Sequence, residues 1–370
     1  MSIEMGDSFI LVITLVVVSL VFAYHKMWHD VGSYSSTPIE LVVDRLGNEI
    51  MVTEGRIDKV GMLYMVDTAF AGAPVISTSY LAQLYGPFAV PLKRTGNVQK
   101  KYDDVMNRLQ VDDDARHAAL AYFLSQSGCR TYTSGCTMRL MGIGETTESQ
   151  SDLLLCDTFM LREGRKWHKT SEVLVTNPLH SSIHILTIDF LLHRSPCVIL
   201  PVRGLILWSV SDSWLRSTFA FVSSVFVGGA LRVPMTVGGT VLQIVVDTGA
   251  AAALSISAEA VDRIRRCERF PLPRRALQVG VNGERICSDA FLARVVIGNV
   301  DMGDVETFAN SQSVQGADGY AGMGLLRALD MWLSPTEVGF RLSGFKVRRS
   351  SALSDGVCVQ GKRLACAIDH

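Results

Sequence analysis

Apolar and polar residues alternate in strand-like fashion along much of the chain, and in two places the alternation ends in the same way. The runs "GMLYMV" and "VLQIVV" each lead into Asp-Thr, then into small residues and a short helix-prone segment. Laid over one another without gaps at an offset of 180 residues, the stretches from Met65 and from Val245 share seven identities. Val66, Asp67, Thr68, Ala71, Ala73, Ile76 and Ser77 match Val246, Asp247, Thr248, Ala251, Ala253, Ile256 and Ser257. An aspartate after a strand is by itself most often a turn former. Its repetition with the same neighbours is what makes both carboxylates candidates for chemistry.

A second pair of segments repeats downstream. "LTIDFLLHRSPCVILPVRGLIL" from Leu186 aligns with "AGMGLLRALDMWLSPTEVGFRL" from Ala321, sharing Leu191 with Leu326, Gly204 with Gly339 and Leu207 with Leu342. The pattern reads as an apolar turn, a short helix and a hairpin-like return. Two related, mainly β lobes are therefore expected, at 32–215 and 216–345, with a basic tail at 346–370. A charged, helix-prone insertion around 95–126 interrupts the first lobe and reads as a solvated surface.

Ahead of the lobes, residues 8–24 carry no charge and are long enough to cross a bilayer core, so residues 1–31 are expected to form a single-pass membrane anchor. Acidic residues precede this run and Lys26 follows it, which leans the body toward the cytosolic face. Lys and Arg total 35 against 36 Asp and Glu, a balance that gives no footprint for nucleic acid. The eight cysteines form no CxxC pair, so no structural zinc site is indicated. Cys129 with Cys136, and Cys358 with Cys366, are close enough in sequence to pair in an oxidising compartment; free buried thiols are the alternative. His180 and His184 have helical metal-ligand spacing but lie beside a β-rich run without a nearby acid, so no metal is expected there.

Asp-Thr-Gly-Ala at 247–250, with "GADGYAGMGLL" downstream, resembles the pepsin and retropepsin class of aspartic proteases. The resemblance implies a bilobal, pepsin-like acid protease fold in which each lobe supplies one Asp-Thr/Ser-Gly loop, a hairpin flap and a backing hydrophobic-hydrophobic-Gly turn. It assigns catalysis to Asp67 and Asp247, and locking of the two loops to Thr68 and Thr248. The close backbone approaches fall to Ala69, Gly249 and Ala250. "VGVNGERI", with Asn282 and Gly283, takes the second flap, and "LMGIGETT", with Gly142 and Gly144, takes the first; the latter lacks the Gly-Lys-Ser/Thr of a phosphate loop. The implied activity is peptide hydrolysis on an extended polypeptide, without metal or cofactor, by a monomer, since one chain supplies both aspartates.

Two carboxylates held close together share a proton, so one serves as base toward water while the other donates to the peptide carbonyl. The first lobe departs from the family pattern at Ala69 and at Thr187, each standing where glycine is usual. The alternative reading is therefore a catalytically degenerate member serving as a membrane-linked structural or scaffold protein, of the kind a viral assembly uses. Many acid-active members carry a hydroxyl residue after the triplet, which lowers the carboxylate pKa; Phe70 and Ala250 cannot donate, so a more neutral optimum is expected.

Overall fold

In the computed structural model the described residues are 35–343, apart from the connections 44–46, 58–59, 71, 86–96, 107–112, 142–145, 164–165, 178–183, 194–195, 211, 228–229, 268–272, 280–284 and 311–315, together with 357–359 and 362–364. The apolar run 8–24 lies outside them. Among the described residues no helix is long and apolar enough to cross a membrane.

The first half contains β1 (Ser35–Val43), β2 (Glu49–Ile57), β3 (Val60–Asp67), β4 (Val75–Ser77), α1 (Thr78–Tyr85), α2 (Val98–Met106), α3 (Asp113–Ser127), β5 (Arg130–Met141), β6 (Thr146–Glu163), β7 (Lys166–Asn177), β8 (His184–Thr187), α4 (Ile188–His193), β9 (Cys197–Leu200) and β10 (Leu205–Trp208). The second contains α5 (Asp212–Thr218), β11 (Ala220–Ser223), β12 (Val225–Val227), β13 (Ala230–Val237), β14 (Thr240–Val246), β15 (Leu254–Ser257), α6 (Ala258–Cys267), β16 (Arg274–Val279), β17 (Arg285–Ile297), β18 (Val300–Asn310), β19 (Gly319–Ala321), α7 (Met323–Leu326), β20 (Leu329–Leu333) and β21 (Glu337–Leu342). The protein is mainly β and is built on two large sheets.

The same wiring occurs twice. In the first half β3 pairs in parallel with β8, β8 antiparallel with β4, and β4 in parallel with β7. In the second half β14, β19, β15 and β18 repeat those relations in the same order. Each aspartate thus leaves the end of a strand whose partner is the strand entering the backing turn. The repeated serines have a local reason as well: Ser77 Oγ accepts from the Tyr80 amide at 3.1 Å and Ser257 Oγ from the Ala260 amide at 3.2 Å, each capping the helix that follows.

The halves are joined by hydrogen bonding. β9 pairs antiparallel with β20, setting Ile199 opposite Met331, and the hairpin partners β10 and β21 flank them. β1 continues the ladder beyond β10, and β11 continues it beyond β21. β9 and β20 are buried at every residue, which is why "CVIL" and "LDMWL" are apolar without alternation apart from Asp330. Asp330 is paired with Arg341, whose Nε donates to its Oδ2 at 2.8 Å.

Two sequence expectations change here. The match of Gly204 with Gly339 is a coincidence of identity: Gly204 sits in a turn at φ 67°, whereas Gly339 lies within β21 opposite Trp332. The inserted helices are docked rather than solvated. Val98 and Tyr102 of α2 pack with Val42, Val52, Leu63 and Tyr80, and Phe123 of α3 is fully buried in the main core. Gln99 seals the α2 contact by bonding both the amide and the carbonyl of Val43.

Candidate active site

Asp67 ends β3 and Asp247 follows β14, so two strand ends deliver the carboxylates. The threonines after them interlock. The Thr68 amide donates to Thr248 Oγ1 and the Thr248 amide to Thr68 Oγ1, both at 3.1 Å. Each hydroxyl in turn donates across the seam, Thr68 Oγ1 to the Val246 carbonyl at 2.7 Å and Thr248 Oγ1 to the Val66 carbonyl at 2.6 Å. Both threonines are buried, so these four bonds are made away from competing water.

The lock brings the dyad together. A methyl placed on Gly249 would lie 2.5 Å from Asp67 Oδ2 and 2.7 Å from its Cγ, so the loop of the second half presses directly on the carboxylate of the first. Gly249 is required here for close approach. Within each loop, amides hold the carboxylates: Ala69 N donates to Asp67 Oδ1 at 2.9 Å, while Gly249 N and Ala250 N donate to Asp247 Oδ1 at 2.9 and 3.0 Å.

Electrostatics set the two acids apart from ordinary surface aspartates. Asp67 is 9% exposed and Asp247 somewhat more, yet both sit where the surrounding protein removes most of their hydration. Burial pushes Asp67 up to about 6 against the opposing pull of the Ala69 and Phe70 amides. Burial, and behind it the charge of Asp67, pushes Asp247 up to about 8. Between those values the pair holds a single proton.

The departures of the first half prove to be accommodated. Among the described residues Ser209 is the single non-glycine with positive φ, so Ala69 is not held in a conformation that favours glycine. Ala69 and Ala250 pack against a cluster of the second half made mostly of small residues, including Ala252, Ala276 and Ala290 with Val245 and Tyr320. Thr187 is fully buried, its hydroxyl donating to the Gly72 carbonyl at 2.5 Å and accepting from the Phe190 amide at 3.3 Å.

The flap residues Gly142, Gly144, Asn282 and Gly283 lie outside the described residues. The strands leading to them are paired as hairpins, Met141 opposite Thr146 and Val279 opposite Arg285. Cys129 forms a disulfide with Cys156, not with Cys136, and joins the start of β5 to β6. Cys366 lies outside the described residues, as does the side chain of Cys358.

His180 also lies outside them, and His184 is fully buried with its Nδ1 accepting from the Ser77 amide at 3.0 Å. Burial lowers its pKa to about 3, so the ring is neutral and its proton sits on Nε2. Among the described residues no group of three His, Cys, Asp or Glu could hold a metal ion. Tyr320 was not singled out by sequence: it is buried, and burial, with the charge of Asp247 behind it, raises its phenol. Its one sequence signal was a position two residues before Gly322.

No family model matches the chain, and no curated protein does. Solved structures do. The crystal structure of Basic 7S globulin from soybean aligns over 84% of this chain and 95% of its own, at 8% identity and a TM-score of 0.47. That of edgp aligns over 85% and 96%, at 9% identity and a TM-score of 0.44. A retropepsin-like aspartic protease from Rickettsia conorii aligns over 33% of this chain and 94% of its own, at 14% identity and a TM-score of 0.25.

Proposed function

We propose that the chain is an aspartic endopeptidase. A water held between Asp67 and Asp247 attacks the peptide carbonyl; the ionised carboxylate takes its proton and the protonated partner donates to the carbonyl oxygen. The observation that carries this reading is the reciprocal Thr68–Thr248 lock, which presses Gly249 onto Asp67 and sets two desolvated carboxylates within each other's field. The substrate is an extended polypeptide lying under the β5–β6 and β16–β17 hairpins, held by main-chain hydrogen bonds.

A catalytically retired scaffold is the competing reading, and it drew on Ala69 and Thr187. Ala69 packs without positive φ and Thr187 is hydrogen-bonded, which removes the reasons for preferring it. The proposal includes a membrane anchor at residues 8–24. The Cys129–Cys156 disulfide supports a body on an oxidising side of that membrane, against the lean given by Lys26.

The test is cleavage of a mixed peptide library by the full chain from pH 3 to 8, beside Asp67→Asn and Asp247→Asn. Cleavage abolished by either substitution supports the protease. Folded wild-type protein that cleaves nothing at any pH overturns it in favour of the scaffold.

A further inference from the structure

The turn behind each catalytic loop holds that loop by different means in the two halves. In the second half, backbone amides of the turn reach the loop directly. Gly322 N donates to the Ala253 carbonyl at 3.2 Å, Met323 N to Ala250 at 2.7 Å and Gly324 N to Ala251 at 3.2 Å. Such closeness demands both glycines. A methyl on Gly322 would meet the Ala252 and Ala250 carbonyl oxygens at 2.4 and 2.5 Å, and one on Gly324 would meet the Ala253 nitrogen at 2.8 Å.

In the first half the central bond is kept: Ile188 N donates to the Phe70 carbonyl at 2.9 Å, as Met323 does to Ala250. On the same alignment Thr187 stands for Gly322 and Asp189 for Gly324. Both glycines are replaced by side chains that hydrogen-bond, and both side chains bind one loop residue. Thr187 Oγ1 donates to the Gly72 carbonyl, and the Gly72 amide donates to Asp189 Oδ2, each at 2.5 Å.

We infer that Thr187 and Asp189 are positioning residues: a two-armed clamp on Gly72 that holds the Asp67 loop in place of the close glycine packing used in the second half. Neither touches the dyad. They act through residues 68–72, whose amides at Ala69 and Phe70 hold the Asp67 carboxylate and favour its charged form. The two substitutions are therefore one device, and Thr187 without Asp189 leaves half of it. The clamp also accounts for a loop that tolerates Ala69, since beside the one backbone bond from Ile188 to Phe70 it is held at Gly72 by side chains and not by close glycine packing.

The inference rests on the proposed dyad for its consequence in turnover, and the experiment separates the two. Thr187→Val, Thr187→Ser, Asp189→Asn and the Val/Asn double variant are prepared in the full chain, with thermal unfolding as a control for folding. Two quantities are read: kcat and KM on a peptide from the library, and the titration of Asp67 by carboxyl-carbon NMR, which needs no turnover. The expected result for Thr187→Val is a loss in kcat of about 10- to 100-fold, the cost of a small misplacement of a reacting group, with KM little changed. The Asp67 midpoint should rise by about half a unit or more as its amide bonds loosen. Thr187→Ser, which keeps the hydroxyl, should restore both, and the double variant should add little to the worse single variant. A shifted midpoint in a chain that cleaves nothing would support the clamp and overturn the protease. Folded Thr187→Val and Asp189→Asn proteins with a wild-type Asp67 midpoint would overturn the clamp whatever the activity.

Discussion

Gly249 and Asp67 belong to different halves of the chain, yet no atom fits between the glycine α-carbon and the Asp67 carboxylate: an added methyl would stand 2.5 Å from Oδ2. Gly249→Ala should displace Asp67 from its amide donor and reduce kcat by about 100-fold or more. Ala69→Gly, which removes a half-buried methyl packed against small side chains, should change kcat less than about threefold, the order expected of one partly buried methyl. Steady-state kinetics on both variants checks the pair, and equal losses would contradict the asymmetry.

In the proposed peptidase the dyad carries the proton chemistry and so sets the pH profile. Activity should rise as the pair loses its first proton near 6 and fall as it loses its second near 8, giving a bell centred close to neutrality. A kcat/KM profile peaking near pH 3 would contradict both the burial argument and the absence of a hydroxyl at Phe70 and Ala250.

Stability should run the other way. An aspartate whose folded pKa is raised binds more protons folded than unfolded, so stability falls as pH climbs from the unfolded value near 4 toward the folded one. Asp247→Asn, which removes the charge while keeping a polar side chain, should raise the melting temperature at pH 7 by roughly 2–4 °C, the shift that about 1 kcal/mol produces in a domain of this size. At pH 4 the two proteins should melt within about a degree of each other. Calorimetry at the two pH values tests this directly.

His184 gives the acid side of the curve. Its folded pKa is lowered, so below about 6.5 the unfolded chain gains a proton that the folded one refuses, and stability falls down toward pH 3. Among the described residues, the titratable Tyr64 and Tyr80 rings pack against it in tilted arrangements at 5.2 and 4.3 Å, and the Ser77 amide occupies Nδ1. His184→Asn, which keeps an acceptor for that amide, should lower the midpoint of acid unfolding even where it reduces stability at pH 7. An unchanged acid midpoint would remove His184 from the account.

The Cys129–Cys156 disulfide closes a loop of 27 residues that contains the first flap. Loop-closure entropy for that length is worth about 3–4 kcal/mol, so Cys129→Ala/Cys156→Ala should lower the urea midpoint without altering the Asp67 and Asp247 titrations. Hydrogen exchange in β5 and β6 should quicken before exchange in β14.

The parts legible in the sequence were those repeated along it. Asp67 and Asp247 with their threonines and the helix-capping serines recur at one offset, and the parallel strand behind each at a second, because both halves solve the same local problem. What escaped was whatever one half does alone. Nothing in the sequence marks Asp189, since its partner Gly72 is 117 positions away. Thr187 read as a defect because a missing glycine is visible in a string of letters and a hydrogen bond to a distant carbonyl is not. The burial of Phe123 was hidden by the charged first turn of α3, and the Cys129 partner by a nearer cysteine. The Gly204–Gly339 match shows the converse error, identity of letter without identity of place.

The β9–β20 ladder has a consequence for how the chain can be divided. A break near residue 211 would leave each half with its aspartate, its backing turn and one bare strand edge, β9 in one and β20 in the other. Those edges are mutual templates with a fixed register, so the severed halves should reassemble as a split protein when mixed. Offered no partner, a lone second half would present β20 to another copy of itself, and a single-chain architecture would give way to a symmetric two-chain one.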